Sequence, residues 1–357
     1  METIRQVLNT VPQDFIPYHD EMTFKAEDKH LVLSFPVKVD GKVEQKTVPM
    51  HRNAVGQMVD PINYGRTIKL PSPAKMTDFV MDEPEVLEDW AGMLNKLYRK
   101  TLKRDRRSLV RVVNDRAMSI LSPKYRRLNS GRLVEAFVAA IRQYDAHIVT
   151  GRAFDTFFYL KALQRVIYEP LKGEVMAFGV EFRHGDHGSS KLWLRGFAER
   201  LRCTNLMMTD TCFSEVHLGA PLPDHIEFSD KTMQLDTEAR ASAMTDVIKS
   251  VFEPEYVNAK MARIEQASKE NVDGDAILAG LVERKRITKG EAEETKKKFR
   301  SADTELLPAG DSALRLANAL SLLAQEVEPE RGLELEALSG QVIGLDSNEE
   351  ADPKKLN

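Results

Sequence analysis

The sequence predicts an α+β protein, a mainly antiparallel sheet with packed helices followed by a helical C-terminal region. Three observations carry this. Apolar and β-branched runs joined by turn residues dominate the chain before residue 223. From about Asp236 the apolar residues recur at three- and four-residue steps instead. The 357 residues are 42% hydrophobic and 30% charged, a balance that buries a core. The expected organisation is a β-rich region over 1–65, an α+β core over 66–223, a helical region over 224–345 and a disordered polar tail over 346–357.

After a short helical pattern, His30 to Val39 and Lys42 to Val48 flank Asp40-Gly41, the pair that a tight hairpin turn prefers. Pro36 places the first of these strands at an edge or ends it early. A short helix is expected around Arg52–Met58, then a loop at Leu70-Pro-Ser-Pro73. Pro84 opens an amphipathic helix with Leu87, Trp90, Met93, Leu94 and Leu97 on one stripe. Leu109 to Val113 and Ala117 to Leu121 read as strands about a turn, Leu133 to Ile141 as a helix, and Ile148 to Leu163 fits either type. Glu174–Phe182 and Lys191–Cys203 form a second hairpin around the loop Arg183–Ser190. Downstream, Asp236 suits an N-cap, and helices are expected at Ala276–Glu283, Glu291–Arg300 and Ser312–Gln325. Thr288 with Glu291 has capping-box spacing. The sheet of residues 22–220 is expected to carry the helices of 84–100 and 131–142 on it.

Several function classes drop out. Cys203 and Cys212 cannot build a disulfide framework or a zinc knuckle and read as reduced thiols. No Walker loop and no Gly-x-Ser-x-Gly elbow is present. Asn271-Val-Asp-Gly-Asp275 has its glycine misplaced for a calcium loop, and helix capping explains its aspartates. The N-terminus has no apolar signal segment and no run is long enough to span a bilayer, so no membrane partner is expected.

Charge is the most informative pattern. Between Lys96 and Arg132 lie thirteen basic residues against Asp105 and Asp115, a local +11 in a chain of net charge -4. Candidate nucleic-acid contacts are Arg99, Lys100, Lys103, Arg104, Arg106, Arg107, Arg111, Lys124, Tyr125, Arg126 and Arg127, with Arg202 from the second hairpin. Guanidinium groups suit bidentate phosphate contacts, and Tyr98 and Tyr125 offer stacking surfaces for unpaired bases. The acidic run Asp78, Asp82, Glu83, Glu85, Glu88 and Asp89 offers the alternative of a salt network inside the fold or between subunits. A second candidate is the loop Arg183–Ser190. His184, Asp186 and His187, completed by His217 or Asp210, supply metal-ligand chemistry, whereas Gly185 and Gly188 fit an ordinary solvated turn.

Three stretches then point to a family. Met118-Ser-Ile-Leu-Ser-Pro-Lys-Tyr-Arg-Arg-Leu-Asn129, the hairpin from Phe182 to Asn205 with Asp186, Gly188 and Arg202-Cys-Thr-Asn205, and Asp311–Ala319 followed by Leu335–Gly340 together resemble the phage/plasmid-like family known as domain of unknown function 932. Asn53-Ala54 to Tyr64 is a weaker echo, so the resemblance spans about residues 50–340. Leu206 departs from the family's usual Gly, and His184 from its usual Asn-Ser. The family brings no established activity. It implies a phage, prophage or plasmid origin and hence the cytoplasm of a bacterial host. The expected function is sequence-nonspecific single-stranded DNA binding or annealing in replication or recombination, without a cofactor and with a possible homo-oligomer. The alternatives are a metal-dependent hydrolase or nuclease, and a non-enzymatic assembly or host-interaction protein.

Overall fold

Asp40 and Gly41 take φ of 50° and 78°, the positive pair that a tight hairpin turn needs. They join β3 (His30–Val39) to β4 (Lys42–Pro49), which follow α1 (Glu2–Asn9), β1 (Gln13–Phe15) and β2 (Thr23–Glu27). The computed structural model describes residues 2–63, 84–100, 106–201, 205–215, 228–301, 307–308 and 310–346. In the sheet β2-β3-β4, Pro36 pairs with Gln45 beyond the stretch that β2 covers, so its missing N–H leaves no ladder bond unmade. The helix expected at Arg52–Met58 extends to α2 (Arg52–Asn63), and α3 (Pro84–Lys100) starts at its proline as expected. Asn95 of α3 accepts from the Phe24 N–H and donates to the Phe24 carbonyl, which ties the helix to β2. Phe24, Leu33, Phe35, Met58, Trp90 and Leu94 fill the core between them.

β5 (Leu109–Val113) and β6 (Arg116–Leu121) turn through Asn114 and Asp115, both at positive φ, and pair with β1 in a second sheet, β1-β5-β6. After α4 (Ser130–Arg142), capped by Asn129, come β7 (Ala146–Ala153), β8 (Phe158–Gln164), β9 (Tyr168–Leu171), β10 (Glu174–His184), β11 (Leu192–Arg200) and β12 (Asn205–Glu215). The ambiguous 148–163 stretch is therefore two strands. These strands form the largest sheet, ordered β12-β11-β10-β8-β7 with β9 beside β10. The single sheet expected over 22–220 is thus three antiparallel sheets. Each buries its apolar face on different partners, β2 and β3 against α3, and the β7–β12 sheet against α4 and the C-terminal helices.

The C-terminal region is helical: α5 (Asp230–Phe252), α6 (Pro254–Lys269), α7 (Gly274–Glu283), α8 (Lys289–Phe299), α9 (Ala313–Ala324) and α10 (Pro329–Val342). The Thr288–Glu291 capping box opens α8, and Asp273 caps α7. The expectation for α5 needs correcting. Ser229 caps it seven residues before Asp236, which instead binds Arg126. α6 and α10 were not foreseen; their apolar periodicity is weak, but each has proline in its first turn. One face of β10 packs Val180 and Phe182 against α4 and α5. The opposite face packs Ala177, with Leu163, Phe197 and Met208, against Ala337 of α10. Gly340 lets α10 touch the β12 backbone, because a Cβ there would overlap the Met208 carbonyl. Gly340→Ala should therefore lower stability by about 1–3 kcal/mol, the usual scale for overpacking. Thermal melts of the two proteins measure it, and an unchanged Tm would show that α10 is not seated this way.

Candidate nucleic-acid interface

Most described arginines of the basic segment are committed within the fold. Arg111 is 4% exposed. Its Nε donates to Asp14 Oδ1 at 2.9 Å, and one terminal nitrogen reaches both Asp186 Oδ2 and the Asp186 carbonyl at 2.5 Å. The two carboxylates hold its pKa above its ordinary value against the opposing effect of burial. Arg126 forms a bidentate pair with Asp236, and Arg132 another with Glu238, so both tie the entry of α4 to α5. Arg127 lies 3.4 Å from Asp14. The expected stacking surfaces are corrected too. Tyr98 is buried and donates to the Met58 carbonyl, and Tyr125 is buried and accepts from the Gly188 N–H at 3.2 Å. Burial pushes both phenols well above their usual range.

Exposed positions remain at Lys96 and Arg106, while Arg107, Arg116 and Lys124 are half-buried, with the Arg107 guanidinium over the Tyr18 ring. Lys103, Arg104, Arg202, Cys203 and His217 lie outside the described residues, as do the side chains of Arg99 and Lys100 and the acidic residues Asp78, Asp82 and Glu83.

The loop after β10 is held from several directions. Asn53 and Gln57 of α2 both donate to the His187 carbonyl, at 3.0 and 2.7 Å. Asp186 receives Arg111, and Gly188 meets Tyr125. Three of the stretches that carry the family resemblance, around Asn53, Tyr125 and Asp186, therefore converge here. They border a cleft of about 580 Å³ lined by Asp14, Arg111, Arg127, His184, Asp186 and His187, among others.

The described histidines of this region do not form the alternative metal site, and His217 lies outside the described residues. His184 is fully buried and stacked on Phe182, on the core face of the sheet. The Asp186 carboxylate is engaged by Arg111. His51 uses Nδ1 to accept from the Asn53 N–H and Nε2 to donate to Asp155 at 3.1 Å. Burial and the nearby Arg111 charge push His187 down to about 3, so it is neutral near pH 7. Among the described residues no three His, Cys, Asp or Glu side chains are grouped to hold a metal ion.

The large sheet carries the feature that the sequence reading missed. Antiparallel register places Arg152, Tyr159, Arg183 and Trp193 in one row across β7, β8, β10 and β11. Arg195 stands two residues along β11 on the same face. The side chains form a continuous stack. The Arg152 guanidinium lies 5.2 Å from the Phe154 ring centre, Phe154 stacks on Phe157 at 4.5 Å, and Arg183 lies 4.0 Å from Phe157. Arg183 and Arg195 both lie over Trp193, at 5.6 and 4.0 Å. Among the described residues no carboxylate lies within 4 Å of the Arg152, Arg183 or Arg195 guanidinium, although Glu181 is the direct cross-strand neighbour of Arg195. The Nε of Arg183, the Nε of Arg195 and the indole N–H of Trp193 are sealed from solvent without a hydrogen-bond partner. Burial lowers both arginines' pKa values, but guanidinium remains charged at neutral pH. The candidate contacts Arg126 and Arg127 are not part of this face. Arg126 and Arg127 precede α4, and Trp193 faces away from Phe182 and Leu194. A signal was present in the alternation Arg183/Trp193/Arg195, but only the strand register brings it together with Arg152 and Phe157.

No protein-family model matches the chain, and no curated protein or solved structure does either.

The neutral His187 makes stability pH-dependent. The unfolded chain takes up the proton near the ordinary value of 6.5, whereas the folded chain does so only at about 3. This contribution is therefore complete above pH 6.5 and is lost as pH falls towards 3, by up to about 1.4 kcal/mol per pH unit. His19 and His51, also lowered chiefly by burial, steepen the fall. Urea melts between pH 7 and pH 5 should show the loss, and His187→Gln should flatten it. An equal slope in the variant would mean that His187 is protonated in the folded protein.

Proposed function

We propose that this chain binds nucleic acid without sequence preference, serving single-strand binding or annealing in the replication or recombination of a phage or plasmid in a bacterial cytoplasm. One observation carries the reading: Arg183 and Arg195 are half-buried, stacked on aromatic rings and without a described carboxylate in ion-pair distance. Partly desolvated cations are ordinarily paired, and their unmet demand is for an anion. With Arg152 they form a line across four strands, a track for a chain of phosphates rather than a pocket for one. The resemblance to the phage/plasmid-like family supplies the biological setting. The +11 segment contributes through its exposed members Lys96 and Arg106.

The test is fluorescence anisotropy with labelled single-stranded and duplex DNA at two salt concentrations. The three sheet arginines contribute about −2 to the log–log salt slope on a single strand, at about −0.7 per phosphate, and Lys96 and Arg106 add to it. Arg183→Gln with Arg195→Gln should weaken binding and make the slope shallower by about 1.4, while leaving Tm within a few degrees. Arg126→Ala should instead act on stability, since its carboxylate partner Asp236 is inside the fold. Absence of binding at low salt would sink the reading. Binding unchanged in the double variant would remove the sheet face from it.

A further inference from the structure

We infer that the Arg152–Arg183–Arg195 face grips the sugar–phosphate backbone and leaves the bases unread and unstacked, an inference that rests on the nucleic-acid reading above. Aromatic residues on a basic sheet face ordinarily suggest base stacking. Here the rings are already occupied. Phe157 is sandwiched between Phe154 and the Arg183 guanidinium, and it is buried. Phe154 has Phe157 on one side and Arg152 over its ring. Trp193 carries two guanidiniums. Tyr159 has Lys161 over its ring at 5.5 Å and Phe154 beside it at 6.2 Å, so a base stacking on this face would have to compete with cation–π contacts that themselves contribute about 0.5–2 kcal/mol.

The stacking instead orients the guanidinium planes. Their N–H edges are what a ligand meets, and a guanidinium edge matches the oxygens of a phosphodiester. The indole N–H of Trp193 and the Nε atoms of both arginines are sealed from solvent, so the terminal guanidinium nitrogens are the donors that a ligand meets. Register sets the spacing. Arg183 pairs directly with Trp193, so Arg195 is its diagonal neighbour on β11, at about 7–8 Å. Arg152 lies two strands away on the other side, at about 10 Å from the strand spacing. These steps are comparable with the separations between phosphates along an extended strand.

The carboxylates facing the row do not close it. Glu181 is the direct cross-strand neighbour of Arg195 and the largest favourable charge on both arginines, but it is buried beside Lys161 at 3.7 Å and lies beyond ion-pair distance of either guanidinium; Glu330 and Glu334 of α10 and Asp346 act more weakly.

Three oligomers of one length separate the possibilities: oligo-dT, a fully abasic deoxyribose-phosphate strand, and oligo-dT with an uncharged methylphosphonate backbone. Losing even one base–aromatic stack of about 1–3 kcal/mol would weaken binding by about fivefold or more. The expected result is that the abasic strand binds within less than that factor of oligo-dT, that the methylphosphonate strand does not bind, and that Arg183→Gln with Arg195→Gln weakens oligo-dT and the abasic strand alike. Folding of the double variant is checked by its melt, and Arg183→Lys with Arg195→Lys, which keeps the charge, should recover part of the affinity. If oligo-dT binds but the abasic strand is about fivefold weaker or worse, the backbone inference fails and nucleic-acid binding stands. If the methylphosphonate strand binds as well as oligo-dT, the inference fails likewise. If none of the three binds at low salt, both readings fall.

Discussion

The buried Arg111 guanidinium is the constraint around which the site region is arranged. A charge removed from water must be compensated within the fold, and breaking such a pair by removing one partner typically costs about 3–5 kcal/mol. Arg111 is compensated twice, each time by a distant part of the chain. Asp14 is its direct cross-strand partner in the β1–β5 pairing, and Asp186 comes from the loop after β10. The ion group therefore joins the small β1-β5-β6 sheet to the large sheet. With Asp186 held, the His187 carbonyl and the Gly188 N–H are in reach of Asn53, Gln57 and Tyr125. The loop that is pinned this way separates Arg183 from Trp193. Its geometry consequently governs how these two side chains meet on the other face of the strands.

Arginine thus plays two opposed parts in this chain. Arg111, Arg126, Arg132 and, buried beside Glu174, Arg200 are matched by carboxylates and fasten elements together. Arg183 and Arg195 are matched by rings. A ring quadrupole attracts a cation but carries no charge, so it orients a guanidinium without neutralising it. The first kind leaves little net field at the surface; the second leaves a positive row open to a partner.

What was legible in the sequence follows from range. The Asp40-Gly41 turn, the Pro84 helix start and the Thr288–Glu291 cap are local devices whose chemistry lies within four residues, and each stands where expected. The charge run between Lys96 and Arg132 was legible as composition but not as surface. Its partners Asp14, Asp236 and Glu238 are about a hundred residues away, and a linear count cannot subtract them. Asp236 shows the same limit from the other side. Its type and position suit a helix cap, yet Ser229 provides the cap and Asp236 serves Arg126. The row of Arg152, Tyr159, Arg183 and Trp193 was the least legible, because only the registers of three strand pairs align it.

Two adjacent rows of the large sheet make the case for a binding face. One step along the strands from Arg183, Lys161 and Glu181 are each 3% exposed, and Lys161 reaches Glu336 of α10 at 2.5 Å. There the fold supplies the counter-charge and covers it with a helix. In the next row Arg152 is exposed and Arg183 half-buried, and neither lies within ion-pair distance of a described carboxylate, although α10 begins nearby with Glu330 and Glu334; Arg195 belongs to the first row, directly across from Glu181. Folding stability alone would favour closing that row as the first is closed, since each unpaired, partly desolvated cation is unfavourable. A surface that retains such groups and orients them on rings is what the proposed binding of an external polyanion would use.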